Sequence, residues 1–175
     1  VHPPGGGYRS PVVAWHLAQL NIALPVEPLD SARLADFVAA LAPVNALADA
    51  ADGFVWRLQT EDGDATAVRG FGDDRLIVNM SVWESPETLA AFVFRSGHAG
   101  VLRRRRAWFV RLREAYAVLW WVRSGHRPDV AEAEQRLEHL RVHGPTPHAF
   151  TLRQLFPAPD GSHAIAAEDD WLCPL

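Results

Sequence analysis

The chain has 175 residues, 17 basic and 21 acidic side chains, a formal net charge of −4 and a pI near 6.0. With 49% apolar and 22% charged residues, this is the composition of one folded domain and excludes disordered, collagen-like and coiled-coil classes. No stretch approaches the ~18 consecutive apolar residues of a membrane span, and the acidic balance gives no reason to expect nucleic acid as a partner. Cys173 is the single cysteine, so an intrachain disulfide and any multi-cysteine zinc or iron–sulfur site are excluded, and a reducing, cytoplasmic setting fits. All 17 basic residues are arginine, which removes a lysine Schiff base and a P-loop lysine from consideration.

In chain order, residues 1–11 are rich in Pro and Gly and read as a flexible leader without the pattern of a signal peptide. Residues 12–157 read as the folded domain and 158–175 as an irregular tail. Val12 to Ile22 is strand-like, and the loop that follows carries Pro25 and Pro28. Asp30 or Ser31 caps a helix whose apolar positions are Leu34, Phe37, Val38, Leu41 and Val44, with Pro43 expected to kink it or end it early. Phe54 to Thr60 and Arg75 to Trp83 read as strands on either side of a turn-rich connection. Ser85-Pro86-Glu87 starts a helix, with Ser as cap, Pro at the first helical position and Glu at the positive end of the dipole. A second helical stretch is expected from His98 to about Glu114, then a strand from Tyr116 to Val122, a helix from Val130 to Val142 and a last short strand from His148 to Phe156.

The order β-α-β-β-α-β followed by α-β predicts an α+β fold, ferredoxin-like, with an added C-terminal helix and strand. One face of such a sheet is left open by its two helices. Its aromatic and apolar character predicts that a second copy covers it, giving a homodimer.

Alternation along the strands sorts the side chains. Trp15, Leu17, Gln19 and Asn21 share one face of the first strand, and Ala14, His16, Ala18 and Leu20 the other. Val55, Arg57 and Gln59 oppose Phe54, Trp56 and Leu58, and Asn79, Ser81 and Trp83 oppose Val78, Met80 and Val82. Gln19, Asn21, Arg57, Gln59, Asn79, Ser81 and Trp83 therefore line either a small-molecule pocket or a solvated sheet face. Arg105 falls on an otherwise apolar helical stripe with His98, Leu102, Phe109 and Leu112, while Arg103, Arg104 and Arg106 point elsewhere. Asn45, four residues beyond Leu41, reads as a core amide. His139 and His143, at i and i+4, lack the acidic pattern of a zinc helix, so no metal is expected there. His16 and His98 border the pocket elements, either as proton-transfer or axial haem groups or as histidines bonded to backbone. No G-x-S-x-G or phosphate-binding glycine loop occurs.

The segments AWHLAQLNIA, GFVWRLQ, DDRLIVNMSVWES, FVFRSGHAGVLRRRRAWF, VLWWV and GPTPHAFTLRQLFP resemble the bacterial family DUF3291, over about residues 13–157. That family is similar to the dimeric α/β-barrel superfamily, which includes antibiotic-biosynthesis monooxygenases. The resemblance implies a homodimer with a pocket in each subunit between sheet and helices. It implies cofactor-independent oxygenation, or acid–base isomerisation or cyclisation, of a hydrophobic, polyketide-like aromatic substrate. His98 would move the proton, Asn21 or Arg105 would stabilise negative charge, and Arg57, Gln59, Asn79, Ser81, Trp83, Gln19 and His16 would line the ligand. Non-catalytic ligand binding and haem binding are the alternatives. Asn21 matches the first-strand Asn of the haem-degrading relatives, whereas Phe92 stands where their helical Trp would be.

Overall fold

The computed structural model describes residues 14–95 and 104–163. Its elements are β1 (Trp15–Ala23), a 3-10 turn (Ala32–Leu34), α1 (Ala35–Asp49), β2 (Phe54–Arg57), β3 (Ile77–Trp83), α2 (Pro86–Arg95), β4 (Ala117–Arg123) and α3 (Val130–His143). The four strands form one sheet in the order β2-β3-β1-β4, antiparallel throughout. This is a mixed α+β fold. Among the described residues no helix is long and apolar enough to cross a membrane.

Each sheet face follows from the strand alternation. On one face, Ala18, Leu20, Ile22, Val78, Met80, Val82, Val118, Trp120 and Val122 meet Ala133, Leu137 and Leu140 of α3. The chain therefore covers with its own C-terminal helix the face for which the sequence suggested a second copy. Every one of those strand residues is at most 4% exposed in the single chain. The opposite face carries Leu17, Trp83, Leu119 and Trp121 beneath Ala48 of α1 and Leu89 and Phe92 of α2. Farther along that face, Leu34, Phe37 and Trp108 close a third cluster with Leu41 and Ile77.

Three expectations differ, two of them because a long-range backbone contact or a turn wins over local pattern. The helix expected to reach Glu114 ends at Trp108, within its described residues 104–108. There the backbone pairs with the β1–α1 loop, Val26 N–H donating to the Trp108 carbonyl at 2.9 Å and Val110 N–H to the Leu24 carbonyl at 2.8 Å. The expected C-terminal strand, His148 to Phe156, reduces to one bridge between Leu119 and Phe150. Tight turns on both sides, Thr146 to Ala149 and Thr151 to Gln154, curl the chain away from the β4 edge after that pair. Pro43 lies inside α1 and does not end it. The carbonyl it leaves without a helical donor is that of Ala39, an exposed residue that water reaches.

Gly53 admits the chain into β2 with φ +72°, and a Cβ there would lie 2.4 Å from Thr88 Cγ2 of α2. Both the dihedral and the close approach require glycine. Its carbonyl accepts the Glu84 N–H at 2.7 Å, which ties the start of β2 to the end of β3.

Candidate functional site

β2 is where alternation alone misplaces a side chain. Phe54 pairs with Trp83, Trp56 with Val82 and Arg57 with Ser81, so Val55 is the extra residue of a β-bulge. The bulge brings Phe54 and Arg57 to the same face, where strict alternation opposed them. Phe54 packs edge-on against Trp83 at 5.4 Å, and Arg57 reaches the polar end of the same face.

That polar end is a directed hydrogen-bond chain. An indole N–H only donates, and Trp83 Nε1 donates to Ser81 Oγ at 2.9 Å. Ser81 Oγ in turn donates to Gln19 Oε1 at 2.9 Å, and Gln19 Nε2 donates to Asn21 Oδ1 at 3.0 Å. Asn79 Nδ2 gives Asn21 Oδ1 a second bond at 2.8 Å. In this chain the Asn21 carbonyl is an acceptor twice over. The Asn21 Nδ2 hydrogens are left for the cavity it lines.

The cavity lies between the sheet, α1, residues 64–66 and residues 105–109, and holds about 140 Å³. Its apolar walls are Phe37, Leu41 and Val44 from α1, Ile77 from β3 and Phe109. Its polar groups are Asn21, Asn45, Asn79, Arg57, Arg105, Asp64 and Thr66. Asn45 is thus a cavity residue and not only a core amide; its place four residues beyond Leu41 on the apolar stripe was the available signal. Residues 64–66 were missed, because their turn composition carries no sign of the sheet end they cover.

The two arginines are held differently. Arg57 makes a two-point pair with Asp49, Nε to Oδ1 at 2.8 Å and Nη2 to Oδ2 at 3.1 Å, and donates Nη1 to the Gly63 carbonyl at 2.7 Å. Its guanidinium joins the end of α1 to the loop that forms one cavity wall. Arg105 lies with Cζ 4.2 Å from the Tyr116 ring centroid and has no carboxylate partner among the described residues. Its neighbour Arg104 pairs with Asp36 at 2.5 Å and stacks on Trp108 at 4.7 Å. Asp64 is turned into its own loop, Oδ1 accepting from Thr66 N–H at 2.8 Å and from Thr66 Oγ1 at 2.7 Å.

Of the residues singled out from sequence, Asn21, Asn79, Arg57 and Arg105 come together around the cavity. Gln19 and Ser81 stand behind it in the hydrogen-bond chain. Trp83 is 1% exposed and stacks on Phe92 at 5.1 Å, so its ring belongs to the core. Gln59 is exposed beyond the end of β2. His16 is on the opposite sheet face, as its parity with Ala18 and Leu20 requires, and its buried Nδ1 has no hydrogen-bond partner. His98 lies outside the described residues.

A second polar cluster occupies the far side of α3. His139 lies 4.5 Å from His143 and 4.7 Å from His148, ring centre to ring centre. Arg136 Nη1 sits 2.6 Å from His148 Nδ1 and donates to the His148 carbonyl at 2.9 Å. Burial, then Arg136 and His139, hold the His148 pKa below the ordinary histidine value. Among the described residues no three His, Cys, Asp or Glu side chains have a metal-binding arrangement.

Fold and site together define an α+β domain with a small, amide- and arginine-lined cavity on one face of an antiparallel sheet. The chain belongs to the DUF3291 family, a domain of unknown function, whose family model matches residues 16–166. Among solved structures it is similar to the NE2512 protein of unknown function from Nitrosomonas europaea. The identity is 16% and the TM-score 0.40, over 65% of this chain and 93% of that one. No curated protein matches the chain.

Proposed function

We propose that this domain binds a small, ring-sized organic molecule in the cavity bounded by Asn21, Asn45, Asn79 and Arg105, and stabilises negative charge on it. The observation that carries the reading is the polarity of Asn21. Its carbonyl takes two hydrogen bonds from within the sheet, so its amide hydrogens stand preorganised toward the ligand. The size follows from volume. About 140 Å³ is close to the ~150 Å³ apolar cavity that accepts benzene, and below the ~300 Å³ at which drug-sized sites begin. A single ring fits this space; a polyketide or a haem is far larger.

The βαββαβ order and the strand order β2-β3-β1-β4 support a ferredoxin-like reading of the fold. In that reading α3 occupies the sheet face that a dimeric α/β barrel gives to its partner, and the site is complete within one chain. A catalytic second reading is favoured by the same donor set. Asn21 and Arg105 suit an enolate or phenolate formed when a base removes a proton, with His98 as the candidate base.

Native mass spectrometry of the purified chain, followed by thermal-shift titration with single-ring compounds, tests the binding reading. A retained or added ring-sized ligand whose effect is lost in Asn21→Ala is the expected result. If no single-ring compound shifts the wild-type midpoint and none co-purifies, the reading is wrong.

A further inference from the structure

Resting on the cavity reading above, we propose that the ligand class is a ring-sized anion, an aromatic carboxylate or phenolate, in preference to a neutral or cationic ring. The two cations around the cavity are held differently. Arg57 is neutralised by Asp49 and anchored to Gly63, while Asp64 keeps its charge and points Oδ1 to the Thr66 N–H and hydroxyl of its own loop. Arg105 is the cation lining the cavity that has neither an acidic partner nor a hydrogen-bond acceptor among the described residues; it rests on the face of Tyr116. Stacking on an aromatic face leaves the N–H edges of a guanidinium open for an acceptor.

The second donor is Asn21, whose carbonyl is already engaged twice within the sheet. Flipping its amide would place Nδ2 against the donating groups of Gln19 and Asn79. Reversal would need both of those amides to flip with it and the Ser81 hydroxyl to turn from donor to acceptor. Gln19 and Asn79 thus act as positioning residues that leave the Asn21 Nδ2 hydrogens for the ligand. A carboxylate on one ring would meet an unneutralised guanidinium and an amide donor, with Phe37, Leu41 and Val44 along the apolar part. A charged acceptor makes stronger hydrogen bonds to such donors than a neutral one.

The test titrates the full chain with benzoate, benzyl alcohol and benzylamine, read by NMR chemical-shift perturbation. Benzoate should bind at least tenfold more tightly than benzyl alcohol, and benzylamine most weakly. Arg105→Gln should remove the benzoate preference over benzyl alcohol, whereas Arg105→Lys should retain part of it. Asn21→Asp keeps both incoming hydrogen bonds, so the sheet stays satisfied, but it turns the cavity donor into an anion. It should abolish benzoate binding and favour benzylamine. Equal affinity of wild type for benzoate and benzyl alcohol, or tighter benzylamine, overturns the anion inference while the binding of a single ring in the cavity stands. Binding of none of the three overturns the anion inference, and the wider single-ring titration then decides the cavity reading.

Discussion

Side chains that share an element here have very different duties, and His148 shows how a neighbour sets them. Arg136 is held beside the His148 ring, so a proton on the imidazole would meet a cation. Burial and that charge place the folded pKa below the 6.5 of an ordinary histidine. The unfolded chain then binds the proton more tightly as the pH falls. The stabilisation from neutral His148 is therefore complete above 6.5 and is lost as the pH drops through the folded value. Urea unfolding between pH 8 and pH 5 should show stability falling with acid, and His148→Gln should flatten that fall. An unchanged slope in the variant would assign the acid sensitivity elsewhere. The residue scale also explains why Arg57 and Arg105, which line the same cavity, differ in use. One found Asp49 and became a brace; the other found only Tyr116 and stays available.

Among the elements, α3 is the best defined by its own ends. Asp129 caps it, accepting the Glu132 N–H at 2.8 Å, and Gly144 ends it at φ +71° with its N–H on the Leu140 carbonyl. Glu132 in the first turn also accepts the Trp120 indole N–H at 2.8 Å and pairs with His126 at 2.6 Å, so the helix start is fastened to β4. Asp129→Ala should cost about 1 kcal/mol of unfolding free energy, measured by urea denaturation, since a lost N-cap usually costs ~0.5–2 kcal/mol. Asp129→Asn should retain most of it, because the amide oxygen accepts the same bond. The other helices were legible by pattern, as was the start of α2 at Pro86, but two helix ends were not. Pro43 did not stop α1, and the backbone of residues 24–26 stopped the helix at Trp108.

Across the whole molecule, the sheet is sandwiched by two unequal layers. α1 and α2 cover the face with the cavity, and α3 covers the other. Leu137 is fully buried at the centre of the α3 contact. Leu137→Ala should lower the unfolding free energy by ~2–5 kcal/mol, the usual cost of such a deletion in a core. Because the cavity is on the opposite face, single-ring affinity of the folded protein should change less than twofold in that variant. A joint loss of stability and affinity would show that the two layers are coupled.

The sequence by itself determined the order of the six sheet and helix elements, the faces of β1 and β3, and the placing of Asn21 and Asn79 among the candidate pocket residues. These rest on periodicity, and periodicity is a property of the local backbone. The tertiary structure alone decided four things: the bulge at Val55 that turned Phe54 to the side of Arg57, the burial of Trp83 against Phe92, the capture of Arg57 by Asp49, and the closing of the sheet by α3. Each is a choice among partners distant in the chain. Alternation fixes which way a side chain points, but only the packed fold fixes what stands there to meet it.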